Sequence, residues 1–397
     1  MAGQERLYYV DALRVGAFLL LIAYHASVAF FPGMDWLIDA PQTSYLLEQA
    51  MMFPRAWRLA LLFFVSGMGT WFLFRRESGP YFLKQRFIRL FPPLIFAMCV
   101  VIVPQVWYER MYEAGYEGSF LTFWVTRYFT EGKYPEGNFT WAHMWFVAYL
   151  LVMCLICYPV FHLVQSRMAR PVMAWFERVA GTGWIYLFFL LPLVLNVIFT
   201  PFFPRQTNAL YNDGAWFAVW ASWFGLGFLM ARHHKALITG IVEKRLLSAA
   251  IAFDLALFLY VFSWNSSPII GDENNRTLLY KTALFALAWS MILTLVGFAA
   301  HHLNRKSAAV GWLNQKVFPL YMVHQTVIVA ALYYVLPWGA GAWVSFAAVF
   351  AATAGFSLLF AMVAELAPGR LALLVGLNPP AARPKAASTR QALPARR

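Results

Sequence analysis

Ten runs of mostly apolar residues divide the chain, at 12–31, 58–74, 90–107, 143–164, 184–200, 215–231, 247–264, 277–299, 317–336 and 342–366. About 17–25 such residues are what an α-helix needs to cross the hydrocarbon core of a bilayer. The pattern therefore predicts an all-α polytopic membrane protein with about ten transmembrane helices. The first run carries Asp11, Arg14 and His25 and has no convincing small-residue cleavage site, so it reads as a retained helix rather than a signal peptide. Pro92 and Pro93 are expected to open the third helix, where a missing N–H costs little. The loop 108–142 is long for a connector, and such loops are often functional. A transmembrane domain over 1–377 is expected to be followed by a disordered basic cytoplasmic tail, 378–397, rich in Pro, Ala and Arg.

Composition agrees with the pattern. Of 397 residues, 61% are hydrophobic and only 12% charged, with a mean hydropathy of +0.59. A water-soluble fold could not bury that much apolar side chain, and a disordered chain or a dedicated nucleic-acid binder is excluded as the primary reading. The net charge of +13 has a topological explanation. With the N-terminus in the cytoplasm, every inner segment is more basic than the outer segments beside it, as the positive-inside rule demands. Both termini are then cytoplasmic. The acids lean outward, and five of them lie in 108–142. Cys99, Cys154 and Cys157 fall in apolar stretches and suggest neither a disulfide framework nor a metal site; the C-x-x-C spacing inside a span reads as packing.

Titratable groups inside a span are costly, and each is a functional candidate. Arg14 and His25 are eleven residues apart, three turns and about 20°, so they share a face with about 16 Å between them along the axis. Asp11 lies on the same stripe, an i,i+3 neighbour of Arg14 with which it can pair. The stripe suits a long substrate that rests an anionic head on Arg14 and brings a reactive end to His25, the shape of acyl-coenzyme A. A plain ion pair and a core histidine are the alternative. The segment 75–89, RRESGPYFLKQRFIR, reads as a loop whose Arg75, Arg76, Lys84, Arg86 and Arg89 gather cations at the inner face, as phosphate ligands or as topology determinants. FFVSG (63–67) with Gly69 allows close approach of a helix or of a slim ligand. Arg58 and His143 with Trp145 mark the outer side of the bundle, as acceptor-side candidates or interface residues. His324, in YMVHQ (321–325), is a further candidate on the donor side or a structural histidine. Asp254 stands alone in the seventh helix, and Glu365 reads as a helix-end or ion-pair residue.

DALR (11–14), the Arg14–His25 spacing, FFVSG, RFIRLFPP (86–93), HMWFV (143–147) and FPLYMVHQ (318–325) occur in an order that resembles the membrane-bound family-3 acyltransferases. Arg58 nine residues before Gly67, HMWF and WFGLGFLMARHHKAL (223–237) are most similar to the branch that succinylates periplasmic glucans. The resemblance implies an acyl-CoA-dependent O-acyltransferase of the bacterial inner membrane, with a cytoplasmic acyl-CoA donor (succinyl- or acetyl-CoA), an extracytoplasmic glycan acceptor, an essential His25 and Arg14 on the donor path. It leads to an expected mechanism. Arg14, Arg75, Arg76, Arg86 and Arg89, with His324, hold the donor. His25 acts as general base or forms an acyl-histidine, Asp11 fixes Arg14, and Arg58, His143 and Trp145 serve the acceptor side, with Arg58 facing a succinyl carboxylate. An O-acetyltransferase of another polysaccharide, lipid or metabolite is the alternative within the class. A secondary transporter using Asp254 and His324 is the alternative outside it.

Overall fold

The computed structural model describes residues 6–377 except Ser78, Ser266 and 273–275. The tail 378–397 lies outside the described residues. Among these, regular structure is helical, and strand-like pairing is confined to one bridge between Lys133 and Phe139. In chain order the helices are α1 (Tyr8–Val28), α2 (Tyr45–Arg76), α3 (Pro80–Phe96), α4 (Val103–Glu113), α5 (Phe120–Thr126), α6 (Trp145–Ile156), α7 (Tyr158–Gln165), α8 (Arg170–Ala180), α9 (Leu190–Phe199), α10 (Gly214–Arg232), α11 (His234–Glu243), α12 (Arg245–Phe262), α13 (Leu278–His302), α14 (Ala308–Val335), α15 (Ala342–Ala364) and α16 (Leu371–Leu374). Eight continuous helical stretches are long and apolar enough to cross a membrane. Two bent pairs, broken by 49° at Cys157 and by 106° near Gly181, bring the number to ten. The fifth span opens as a 3-10 turn over Gly183–Phe189 before α9.

Three local expectations are corrected. The basic stretch after α2 is not a loop. Gly79 adopts a left-handed φ of 79°, the turn closes at once, and Lys84, Arg86 and Arg89 ride on α3. Pro92 and Pro93 lie inside α3, because Pro80 already occupies the first turn where proline is tolerated. The chain then widens into a π turn, Ala97–Val101, and side chains bond its carbonyls: Tyr128 Oη donates to Met98 (2.8 Å), Trp124 Nε1 to Cys99 (2.9 Å) and Thr326 Oγ1 to Val101 (2.8 Å). The segment 108–142 is likewise no open loop. It holds the end of α4 and all of α5, and Arg110 ties it down through Asn138 Oδ1 (2.9 Å) and the carbonyls of Pro135 (2.8 Å) and Gly137 (2.7 Å).

Two glycines bring α2 and α10 together. A Cβ on Gly67 would strike the Phe224 carbonyl, and one on Gly227 would strike the Phe64 carbonyl. Neither helix can approach so closely with any other residue at the crossing. Elsewhere, Asp11 at the start of α1 is bonded to Asn314 near the start of α14 (2.9 Å), and Lys316 pairs with Glu365 at the end of α15. These contacts put the beginning of α1 and the end of α15 at one end of the bundle. That end also carries Arg75, Arg76, Arg86 and Arg89, and is called the basic end below.

Candidate active site

α1 and α14 lie side by side and run in the same direction, joined by two polar rungs. In the first, Arg14 Nη1 donates to Asn314 Oδ1 (3.4 Å) and Asn314 Nδ2 donates to Asp11 Oδ1 (2.9 Å). The other Asp11 oxygen accepts from Arg6 (2.7 and 2.9 Å). The direct Asp11–Arg14 pairing expected from the spacing is thus replaced: Arg6 reaches the carboxylate and Asn314 stands between the two. In the second rung, His25 Nδ1 and His324 Nε2 are 2.9 Å apart, with the rings only 8° from parallel. Eleven residues separate Arg14 from His25 and ten separate Asn314 from His324, so parallel helices match both rungs.

The second rung fixes protons. His324 Nδ1 lies 2.5 Å from the Tyr321 carbonyl oxygen, which can only accept, so Nδ1 carries hydrogen. In a neutral ring Nε2 is then an acceptor. His25 must donate from Nδ1, and its Nε2 keeps a free lone pair. A histidine whose partner sets its tautomer in this way is prepared to take a proton at one defined atom. His324 is fully buried and does not line the cavity described next, so the structure sets it behind His25 rather than at the basic end. His143, in the short turn before α6, completes a group of three imidazoles. Its Nε2 donates to the Met322 carbonyl (2.9 Å), its ring stands edge-on to His324 at 5.0 Å, and its Nδ1 has no partner among the described residues.

A cavity of about 830 Å³ runs past His25 and His143, and residues from both ends of the bundle line it. Arg14, Arg86 and Arg89 line its basic end, His25, Arg58, His143 and Trp145 its middle, and Gln206, Asn208 and Trp264 its opposite end. Gly69 makes room for Arg14: a Cβ there would stand 3.0 Å from Nη2. Arg86 Nη2 donates to Thr70 Oγ1 (2.6 Å). Arg58 is only 6% exposed, lies over the Tyr24 ring at 3.3 Å, and has no hydrogen-bond partner at Nε or Nη1 among the described residues. A buried guanidinium without an anion is costly, and it faces the same space as His25.

Other predicted residues stay apart. Arg75 and Arg76 are exposed at the end of α2, where Arg76 pairs with Glu77 (3.1 Å); neither lines the cavity. Asp11 acts through Asn314 and is not a lining residue. Asp254 is exposed on α12, away from the site. Glu365 is the ion-pair residue it was read to be. The three cysteines are free. The sequence reading missed Asn314, whose signal is its spacing from His324. It also missed Asp213, which is fully buried and clasps the loop before α10, accepting from Tyr149 and from the N–H groups of Thr207 (3.1 Å) and Asn208 (3.2 Å). Burial pushes its carboxyl pKa up, against the pull of those three donors.

Residues 7–362 match the family profile described as an acyltransferase domain, Acyl_transf_3. The chain belongs to this acyltransferase family, and it is a multi-pass membrane protein of that class. Its curated relatives include proteins called glucans biosynthesis protein C. Those of Escherichia coli O139:H28 (strain E24377A / ETEC) and O6:K15:H31 (strain 536 / UPEC) are each 23% identical, and that of strain K12 is 22% identical; each alignment covers 86% of this chain and 87% of the relative. No solved structure matches.

Proposed function

We propose that the protein transfers an acyl group from acyl-coenzyme A, bound from the basic end, to a hydroxyl of a glucan that enters from the opposite end. The observation that carries this reading is the single cavity that joins a cluster of arginines to a histidine of fixed tautomer. Arg14, Arg86 and Arg89 suit the donor's phosphates, which guanidinium groups bind bidentately. The acyl thioester then lies beside His25. The acceptor hydroxyl attacks the thioester carbon while its proton passes to His25 Nε2, the tetrahedral intermediate expels the thiolate, and the imidazolium returns the proton to sulfur. Glucan is favoured over other acceptors by the name the relatives carry, glucans biosynthesis protein C. Arg58 favours succinyl over acetyl, since a buried guanidinium that lines the same cavity as His25 can pair with a free carboxylate. The basic end is read as cytoplasmic and the membrane as the bacterial inner membrane.

The test is CoA release by purified protein in detergent, with acetyl- and succinyl-CoA and soluble glucan. His25→Ala should abolish acceptor-dependent release with either donor. Arg58→Gln should cost succinyl transfer about a hundredfold, the worth of hydrogen bonds to a charged group, and acetyl transfer far less. Release that persists in His25→Ala would refute the base assignment. Equal losses for both donors would remove Arg58 from acyl recognition.

A further inference from the structure

Asp213 is fully buried and stands directly before α10, the position where aspartate usually caps a helix, yet its side chain makes no capping bond there. Both oxygens turn back to the preceding loop and to α6 instead. Oδ1 accepts from the Thr207 N–H (3.1 Å), and Oδ2 accepts from the Asn208 N–H (3.2 Å) and from the Tyr149 hydroxyl. The Tyr149 oxygen in turn accepts from the Leu210 N–H (3.3 Å). Asp213 and Tyr149 thus hold the backbone of 207–210. Asn208 and Leu210 are each kept at a left-handed φ of 55°, which non-glycine residues rarely adopt and which lasts only where the surroundings over-determine it.

Two routes lead from this carboxylate to the middle of the cavity. In the first, the Asn208 carbonyl accepts from Trp141 Nε1 (3.1 Å), and Trp141 begins the turn that carries His143. Ala142 between them is also left-handed, at a φ of 40°. In the second, the Tyr149 ring stands edge-on to Trp145, one turn back on α6, at 5.0 Å. His143, Trp145 and Asn208 line the cavity together with His25. Among the described residues, all three left-handed non-glycine positions therefore fall in the two segments that Asp213 ties together.

We infer that Asp213 is a positioning residue for acyl transfer, whose carboxylate sets His143 and Trp145 against the acceptor through Trp141 and Tyr149. Asp213 does not line the cavity, so it acts through those neighbours. A carboxylate suits this task better than a neutral side chain, because it takes three donors at once and hydrogen bonds to a charged group are the stronger ones. The bonds of Asp213 and Tyr149 reach none of the donor-side arginines. The inference rests on the reading of this end of the cavity as the acceptor side.

The experiment compares wild type, Asp213→Asn, Tyr149→Phe and the double variant as full-length protein in detergent. Steady-state kinetics give KM for acyl-CoA and for glucan, and amide hydrogen exchange read by mass spectrometry follows 140–146 and 207–211. Tyr149→Phe keeps the ring and removes only the hydroxyl, so it remains informative if Asp213→Asn does not fold. Each single variant should raise the glucan KM about tenfold, the worth of one hydrogen bond to a charged group, with the acyl-CoA KM near wild type. The double variant should cost little more than the worse single one, because both break the bond between Tyr149 and Asp213. Exchange should quicken in both segments. An unchanged glucan KM, an equal rise in the acyl-CoA KM, or faster exchange confined to 207–211 overturns the positioning role. A wild type that transfers to no glucan refutes the acceptor reading instead, and exchange in 140–146 then decides by itself whether Asp213 holds His143 and Trp145.

Discussion

His324 is the residue whose role the geometry narrows most. As a mere filler between α1 and α14 it would be replaceable by any side chain of its size. As the acceptor that holds hydrogen on His25 Nδ1, it needs a lone pair at one point. His324→Leu should therefore lower kcat by about 10²-fold, toward the low end of what general-base catalysis contributes, while the donor KM stays near wild type. His324→Gln, whose amide oxygen can accept from His25, should recover much of the loss. The check is kcat and KM for both variants across pH. Equal loss in the two would return His324 to a packing role. Only the first half of this arrangement was legible in the chain. Arg14 and His25 fall on one helix and their spacing announces a shared face, whereas Asn314 and His324 lie some 300 residues on. Which helices become neighbours is decided by packing, not by local periodicity.

At the level of elements, hydrophobic runs found the spans because length and apolarity are what a bilayer demands of a helix. They did not find the bends at Cys157 and Gly181, nor the π turn after Pro93. A break changes direction without changing which residues are apolar. The glycines illustrate the same limit. FFVSG with Gly69 left open whether a helix or a ligand approaches, and the structure gives one answer to each: Gly67 meets α10, and Gly69 meets Arg14. Two substitutions separate them. Gly227→Ala forces a Cβ into the Phe64 backbone and should destabilise by about 1–3 kcal/mol, as overpacking does, seen as a lower melting temperature in detergent. Gly69→Ala meets only the movable tip of Arg14, so it should leave the melting temperature alone and raise the donor KM several-fold. An unchanged KM in Gly69→Ala would detach Arg14 from the donor.

For the molecule as a whole, the fold makes direction the essential question, because a cavity lined by residues from both ends of the bundle could be loaded from either side. The contacts Asp11–Asn314 and Lys316–Glu365 fix the start of α1 and the end of α15 at one end. The charge pattern supplies the side. Arg305, exposed between α13 and α14, belongs to the basic end, and Glu117, exposed between α4 and α5, belongs to the other. If the positive-inside rule holds, a membrane-impermeant thiol reagent should label Glu117→Cys in cells whose outer barrier alone is opened. It should label Arg305→Cys only after the inner membrane is breached, in each case with Cys99, Cys154 and Cys157 replaced by Ala. The opposite pattern would put the arginines outside. A cytoplasmic acyl-CoA could then not reach Arg14, Arg86 and Arg89, and the transfer would have to run in the other direction through the same cavity. Labelling thus tests the link between the charge asymmetry read from the chain and the path along which the substrates meet at His25.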